Sequence, residues 1–306
     1  MPHPASTPPP HRPPPPARTS PPVRSALGRR QPSALREQLT QQASAPAPSD
    51  GITASVVSHG QGPEVDRLLA DLAALGEPRL QRVIVTLNRP DPARAGRWRA
   101  QRWPFELRLI ESPAPLGFGA NHNRAFALDG SHGGQPLFAV LNPDLRLPAN
   151  PFPALCERLA GDPRIGAAYP QQCDAQGRRQ DHQRLAPTPA RLLRRHLLRR
   201  PHELRPGQAP EWVNAAFLLL RRGAYAQLQG FDESFHMYCE DVDLCLRLQL
   251  AGWRLACADT ALVQHQAQRA SRRGWQPLLW HVTSLLRLWR SPVWQAWQAH
   301  GAQRGG

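Results

Sequence analysis

From Ile52 onward, short apolar and β-branched runs alternate with stretches whose apolar residues return every three or four positions. This alternation constrains the fold more than any other feature, because strands separated by helices must lie mainly parallel in one sheet. ITASVVS (52–58), bounded by His59-Gly60-Gln61-Gly62, reads as a buried first strand, and VDRLLADLAAL (65–75) has helical spacing. RVIVTLN (82–88), LRLIES (107–112) and PLFAVLN (136–142) read as further strands, with a helix from about Asn121 before the last of them. Beyond Pro151 come a helix (PFPALCERLAG), a strand (IGAAYP) and a polar stretch from Gln171 to Pro189 that reads as a variable loop. A short basic helix (LLRRHLLRR, 192–200) and a core strand (WVNAAFLLLRR, 212–222) follow.

Composition divides the chain into three. Residues 1–50 hold 14 of the 35 prolines and few residues that could seed a core, so a disordered tail is expected there. Residues 51–270 carry the α/β pattern, and residues 271–306 form a basic, Trp-rich helical segment. The formal charge of +15 points at first to nucleic acid, yet the two ends supply most of it: six Arg against Glu37 and Asp50 in 1–50, and six Arg with no acid in 266–306. The core lacks a reader motif, so no nucleic-acid partner is expected. The five cysteines are odd in number and show no metal spacing, which reads as reduced thiols. No apolar run approaches the roughly 20 residues that span a bilayer, and the start lacks a signal-peptide pattern, so the expected location is cytoplasmic.

Four short segments carry candidate chemistry. AVLNPDLRL runs a strand directly into Asn142-Pro143-Asp144, where a turn could aim oxygen ligands at a metal, although Asn-Pro-Asp is equally a good turn. In GFDESFHMYCEDVDLCLRLQLAGWRL, Glu240, Asp241 and Asp243 open a helix, where the dipole favours the ionised form a general base requires; acids at helix starts are also common for stability alone. LGFGANHNRAF is glycine-rich and opens a helix, so backbone near Gly117 could approach a diphosphate, but His122 stands where a dinucleotide fingerprint has its third glycine. His265, after ACADTALVQH, is a competent metal ligand or an ordinary core histidine.

Taken in order, LGFGANHN, LNPD, GFDESFHMYCEDVDLCLRLQLAGW and VQH resemble glycosyltransferase family 2, in its rhamnosyltransferase-like branch, over about Ile52 to Ser271. The resemblance implies a GT-A type, Rossmann-like α/β/α sandwich with a mainly parallel central sheet, a disordered N-terminal tail and C-terminal amphipathic helices. It implies an inverting transfer of a sugar such as rhamnose from a dTDP- or UDP-linked donor to a hydroxyl of a surface polysaccharide or polyprenyl-linked glycan. Asp241 matches the position of the general base, with Glu240 beside it to orient acceptor or base, while Asp243 holds the helix start. Asp144, helped by Asn142, and His265 match a site for Mg²⁺ or Mn²⁺. Ser58, Asn88, Gly117, Asn123, Arg124, Asn142 and Asn214 match positions around the nucleotide sugar, Asn123 and Arg124 near the diphosphate.

The chain also departs from the family pattern. Leu87 stands where an Asp near the nucleoside is common, Asn214-Ala215 replaces Ser-Gly near the sugar, and His59-Gly60 replaces Tyr-Asn after the first strand. The Leu87 departure motivates a second reading, a catalytically silent scaffold of the same fold. Between Ser271 and Trp297, five Trp interleave with Leu and Arg, which suits contact with the inner face of an anionic membrane or packing on the catalytic domain.

Overall fold

A computed structural model describes residues 51–197, 204–205, 207–266 and 275–304. The expected N-terminal tail, the last residues of the basic 192–200 segment and the approach to residue 275 lie outside the described residues. In chain order the first elements are β1 (Ile52–Ser58), α1 (Gly62–Ala74), β2 (Leu80–Leu87), α2 (Pro92–Ala100), β3 (Glu106–Glu111) and α3 (Phe118–Gly130). They are followed by β4 (Leu137–Leu141), β5 (Leu145–Arg146), α4 (Phe152–Gly161), β6 (Ile165–Cys173), β7 (Gln183–Arg184) and α5 (Pro189–Leu197). The last are β8 (Trp212–Val213), β9 (Phe217–Arg221), α6 (Arg222–Gln227), α7 (Glu240–Leu250), β10 (Arg254–His265), α8 (Trp275–Arg290) and α9 (Pro292–Arg304).

Eight strands form one sheet in the order β3-β2-β1-β4-β9-β6-β10-β5. β9 and β5 run against the others, so the sheet is mainly parallel. Every residue of β1 is buried, as expected of a strand covered on both faces, and this is why ITASVVS reads as a nearly continuous apolar run. Alternate residues serve opposite faces. Leu137, Ala139 and Leu141 of β4 pack with Leu68 and Leu72 of α1, Trp98 of α2 and Phe152 of α4, whereas Phe138 and Val140 pack with Tyr225 of α6 and Leu244 of α7. The second face also takes Leu285 and Leu288 of α8 and Trp294 of α9, which completes an α/β/α sandwich.

Three expectations shift in ways that matter to the site. The helix expected from about Asn121 begins at Phe118, with Gly117 as its N-cap in extended conformation. The single strand expected over 212–222 is broken into β8 and β9 by Asn214-Ala215-Ala216, because Asn214 turns its amide onto Gln172 in a reciprocal pair at 2.7 and 3.1 Å. The polar stretch read as a loop continues β6 to Cys173 and then supplies β7, which pairs antiparallel with β8.

At the edge of α3, Asp129 is fully buried and accepts hydrogen bonds from Thr53 Oγ1 (2.6 Å), Arg82, Arg222 and the backbone of Gln135 (3.1 Å). Two guanidiniums thus meet one carboxylate that ties β1, β2, α3 and α6 together. Removing one partner from such a buried cluster strands the others. Asp129→Asn is expected to lower stability by about 3–5 kcal/mol in urea unfolding; a loss within experimental error would show that the cluster contributes nothing to the fold.

Candidate active site

β1, β2 and β4 end on the same side of the sheet, and a cavity of about 410 Å³ opens beyond their carboxyl ends. An open α/β sheet binds ligands at such strand ends. Asn142, the first residue after β4, donates its backbone N–H to Ala216 O (2.8 Å), which brings the Asn142-Pro143-Asp144 turn against the break between β8 and β9. Asp144 is held from the other side, where β5 pairs antiparallel with the end of β10 and Gln266 N–H donates to Asp144 O (3.2 Å). That pairing carries His265 to the same place. Its Nε2 lies 3.4 Å from Asp144 Oδ1 and 3.4 Å from Asn142 Nδ2, and its buried Nδ1 has no hydrogen-bond partner. All three residues line the cavity.

The opposite wall is the start of α7. Tyr238 and Cys239 both take left-handed backbone conformations, with φ of +68° and +66°, immediately before Glu240. Two consecutive non-glycine residues there are strained, and they turn the chain sharply so that the first helical turn faces the cavity. Glu240 and Asp241 both line it. Burial raises both carboxyls above the ordinary range, but they are not equivalent. Asp241 accepts from Val242 N–H (2.8 Å) and from the Ala215 backbone, and the Arg184 charge acts on it; all three favour its ionised form. Glu240 is buried with Oε2 unpartnered, and the Asp241 charge pushes it higher still. Asp241 is therefore the member that ionises first, and Glu240 the one that keeps its proton.

Of the other residues singled out in the sequence, Asn88 and Asn214 line the cavity. The Asn88 side chain exchanges hydrogen bonds with the backbone of Leu116 (2.7 and 2.9 Å) and contacts His59 Nδ1 at 3.0 Å, so it fixes the rim. Ser58, Gly117, Asn123 and Arg124 are not among the lining residues. Ser58 is buried, and its carbonyl accepts from Asn88 N–H (2.8 Å). Gly117 packs so closely on the acidic loop that a Cβ would meet His236 O at 2.8 Å.

Asn123 and Arg124, expected to flank a diphosphate, make hydrogen bonds outside the cavity lining. Because α3 starts at Phe118, both fall in its second turn and are engaged elsewhere. Asn123 accepts from Tyr225 OH (2.7 Å) and Phe231 N–H (2.9 Å) and donates to Phe231 O (2.9 Å) and Glu233 (3.0 Å). Arg124 donates to Ser112 Oγ (2.7 Å). Leu87 is buried in the core and His122 lies buried against Ser55 Oγ (2.8 Å), where burial pushes its imidazole down to about 3 and keeps it neutral.

Sequence reasoning missed His59, His236, Tyr238 and Trp280, all of which line the cavity. His236 and Tyr238 lie inside the acidic block, which signalled a site through its resemblance to the family. Trp280 had no such signal, since it reaches the cavity only because α8 folds back, with Ser284 Oγ donating to Met237 O (2.8 Å) and the Trp280 and His236 rings 4.9 Å apart.

Residues 48–280 match the family described as glycosyltransferase like family 2. Over 247 residues the chain is 31% identical to an N-acetylglucosaminyl-diphospho-decaprenol L-rhamnosyltransferase of Mycobacterium tuberculosis (strain ATCC 25618 / H37Rv), covering 74% of this chain and 79% of that protein. Rhamnosyltransferase WbbL of Escherichia coli (strain K12) is 38% identical over 78 residues, 25% of this chain and 30% of that one. Among solved structures, the mannosyltransferase PcManGT from Pyrobaculum calidifontis in complex with GDP-Man and Mn²⁺ superposes with a TM-score of 0.50 at 15% identity, covering 90% of this chain and 83% of that one. S. aureus TarS 1-349 in complex with UDP-GlcNAc gives 0.53 at 11% identity, over 74% and 61% of the two chains. At such identities the structures speak to the fold alone, which is the GT-A fold. The family match across most of the chain and the rhamnosyltransferase relatives lead to one conclusion: the chain belongs to glycosyltransferase family 2 and is a glycosyltransferase.

Proposed function

We propose that the enzyme transfers a deoxyhexose, rhamnose in the first instance, from a dTDP- or UDP-linked donor to a hydroxyl of a polyprenyl-linked glycan, with inversion at the anomeric carbon. The observation that carries this reading is one cavity with a poised carboxylate, Asp241, on one wall and the Asp144–His265 pair on the other. The Mycobacterium tuberculosis relative is named for L-rhamnosyl transfer to an N-acetylglucosaminyl-diphospho-decaprenol, which supports the sugar and the acceptor class.

In this mechanism Asp241 takes the proton of the acceptor hydroxyl as its oxygen attacks the anomeric carbon. A new C–O bond forms on the face opposite the diphosphate, the old C–O bond breaks, and its electron pair leaves with the nucleoside diphosphate. The configuration inverts because there is a single displacement. Glu240, protonated beside the base, can donate a hydrogen bond to the acceptor or to Asp241 and so orient the attack. The Val242 N–H and the Arg184 charge oppose the burial that raises the pKa of the base. Trp280 and His236 cover the rim and keep water from competing with the acceptor.

A divalent cation fits the opposite wall. Asp144 and His265 offer one oxygen and one nitrogen that converge, while among the described residues no group of three His, Cys, Asp or Glu converges on a metal site. Asp144 and His265 would hold the ion through an oxygen and a nitrogen donor, a pair that suits Mn²⁺ or Mg²⁺. When bound, such an ion supplies positive charge to the departing diphosphate.

Four outcomes are expected. Asp241→Asn should lower transfer by about 10²- to 10⁴-fold while leaving nucleoside diphosphate binding near wild type in calorimetry; wild-type turnover in this variant would overturn the base assignment. Because the base must be ionised and burial raises its pKa, activity should rise with pH on a limb well above the ordinary carboxylate range of about 4. Arg184→Gln removes the cation that favours ionisation and should move that limb to still higher pH, whereas an unmoved limb would mean that Asp241 does not set it. His265→Ala should raise the Mn²⁺ concentration needed for nucleoside diphosphate binding, by about tenfold or more for the loss of one ligand. An unchanged Mn²⁺ requirement would remove His265 from the metal site.

A further inference from the structure

α8 presents its apolar residues on two different faces. Ser284, Leu285 and Leu288 are buried and pack α8 on the sandwich. Trp275, Leu279, Val282 and Leu286 follow one another at intervals of four, three and four, and Leu278 lies beside them, three residues after Trp275 and four before Val282, which places all five along one stripe of the helix. That stripe faces outward: Trp275 is 88% exposed, Leu279 60% and Leu278 53%. Five large apolar side chains in one row are a different thing from the scattered apolar residues of an ordinary surface.

Charge narrows what covers the stripe. Neither α8 nor α9 contains an acidic residue, and Arg287 and Arg290 stand in the last turn of α8. An apolar row with Trp at its start and Arg at its end is the pattern of a helix lying in the plane of an anionic bilayer, apolar side in the acyl boundary and guanidiniums among the headgroups. α8 cannot cross one, since no helix among the described residues is long and apolar enough. At 16 residues, or about 24 Å, it suffices to lie along the surface.

The same helix lines the cavity through Trp280, one residue beyond Leu279. We propose that the exposed stripe of α8 docks the enzyme on an anionic lipid bilayer, so that the cavity rim beside Trp280 opens at the membrane surface. This deepens the proposed function and rests on its polyprenyl-linked acceptor. A long prenyl chain stays in the bilayer while its diphosphate-linked sugar projects from the surface. An enzyme seated by α8 meets that sugar without extracting the lipid.

The test uses the full chain and needs neither donor nor acceptor. Vesicles of phosphatidylglycerol with phosphatidylcholine, and of phosphatidylcholine alone, are sedimented with wild type, with the double variant Leu278→Glu/Leu279→Glu and with Val282→Glu. Wild type is expected to pellet with the anionic vesicles, less so at high salt, and the double variant to lose more than about tenfold in partitioning. Trp275 gives an independent reading: brominated lipid should quench fluorescence in wild type and quench it less in Trp275→Phe. The variants should keep wild-type transfer to a water-soluble acceptor and lose it only toward a vesicle-embedded one. Recovery of wild type in the supernatant with anionic vesicles would overturn the proposal, as would a stable dimer that Leu278→Glu/Leu279→Glu dissociates, since a second copy would then be what covers the stripe. Inactivity on every acceptor together with intact vesicle binding would instead count against the proposed reaction and leave the docking surface standing.

Discussion

Arg247 is buried on the inner side of α7, and the acidic end of the cavity depends on where its guanidinium is anchored. Its Nε donates to Asp243 Oδ2 (2.6 Å) one turn earlier, while Nη1 donates to the carbonyls of Leu228 and Gly230 (both 2.8 Å). Asn123 grips the same turn from α3 through both backbone groups of Phe231. Gly230 sits between the two clamps at φ +74°, where a Cβ would lie 2.1 Å from Asn123 Oδ1, so no other residue fits. The turn that leads into the acidic loop thus cannot move independently of α3 or of the first turn of α7. A buried ion pair of this kind contributes position more dependably than net stability. Asp243 is spent on that role, which separates it from its two neighbours.

Three carboxylates within four residues therefore do different things because their surroundings differ. Asp243 faces Arg247, Asp241 faces two backbone N–H groups and the Arg184 charge, and Glu240 has a buried oxygen facing nothing. Arg184 is itself oriented by its neighbours: its Nε donates to Asp181 O (3.0 Å), and its guanidinium lies 5.2 Å from the centre of the Trp212 ring. Asp181 is shared with Arg195 of α5 (2.6 Å). The charge that acts on Asp241 is thus held by contacts from the β7–β8 pair and α5.

The alternation of strand and helix was legible in the sequence because strands buried on both faces must be apolar throughout, and β1, β2 and β4 stand where that pattern puts them. Asn142, Asp144 and His265 were legible as a set only through the order of motifs that resembles the family, and they meet because they lie at or near strand ends, which converge on one edge. The start of α3 was placed three residues late because a glycine-rich helix start hides its first residue, so the hydrogen bonds of Asn123 and Arg124 in its second turn were not foreseen. The break at Asn214 was hidden because its cause, the amide of Gln172, lies 42 residues away in sequence. Trp280 belongs to the same class, since nothing local in residues 275–290 distinguishes the tryptophan on the cavity from those on the surface or in the core.

The left-handed pair Tyr238–Cys239 makes the same point about the end of the chain. Each such residue costs of the order of 1–3 kcal/mol unless its surroundings hold it. Here the surroundings are α8: Ser284 takes the Met237 carbonyl, the His281 ring meets the Tyr238 ring edge-on at 5.2 Å, and Trp280 lies on His236. The family match ends at residue 280, inside α8, yet Ser284 and the buried Leu285 and Leu288 beyond it are what keep the helix seated. α8 is therefore part of the wall of the cavity. One helix thus holds a strained loop in place on one side and carries the exposed apolar row on the other.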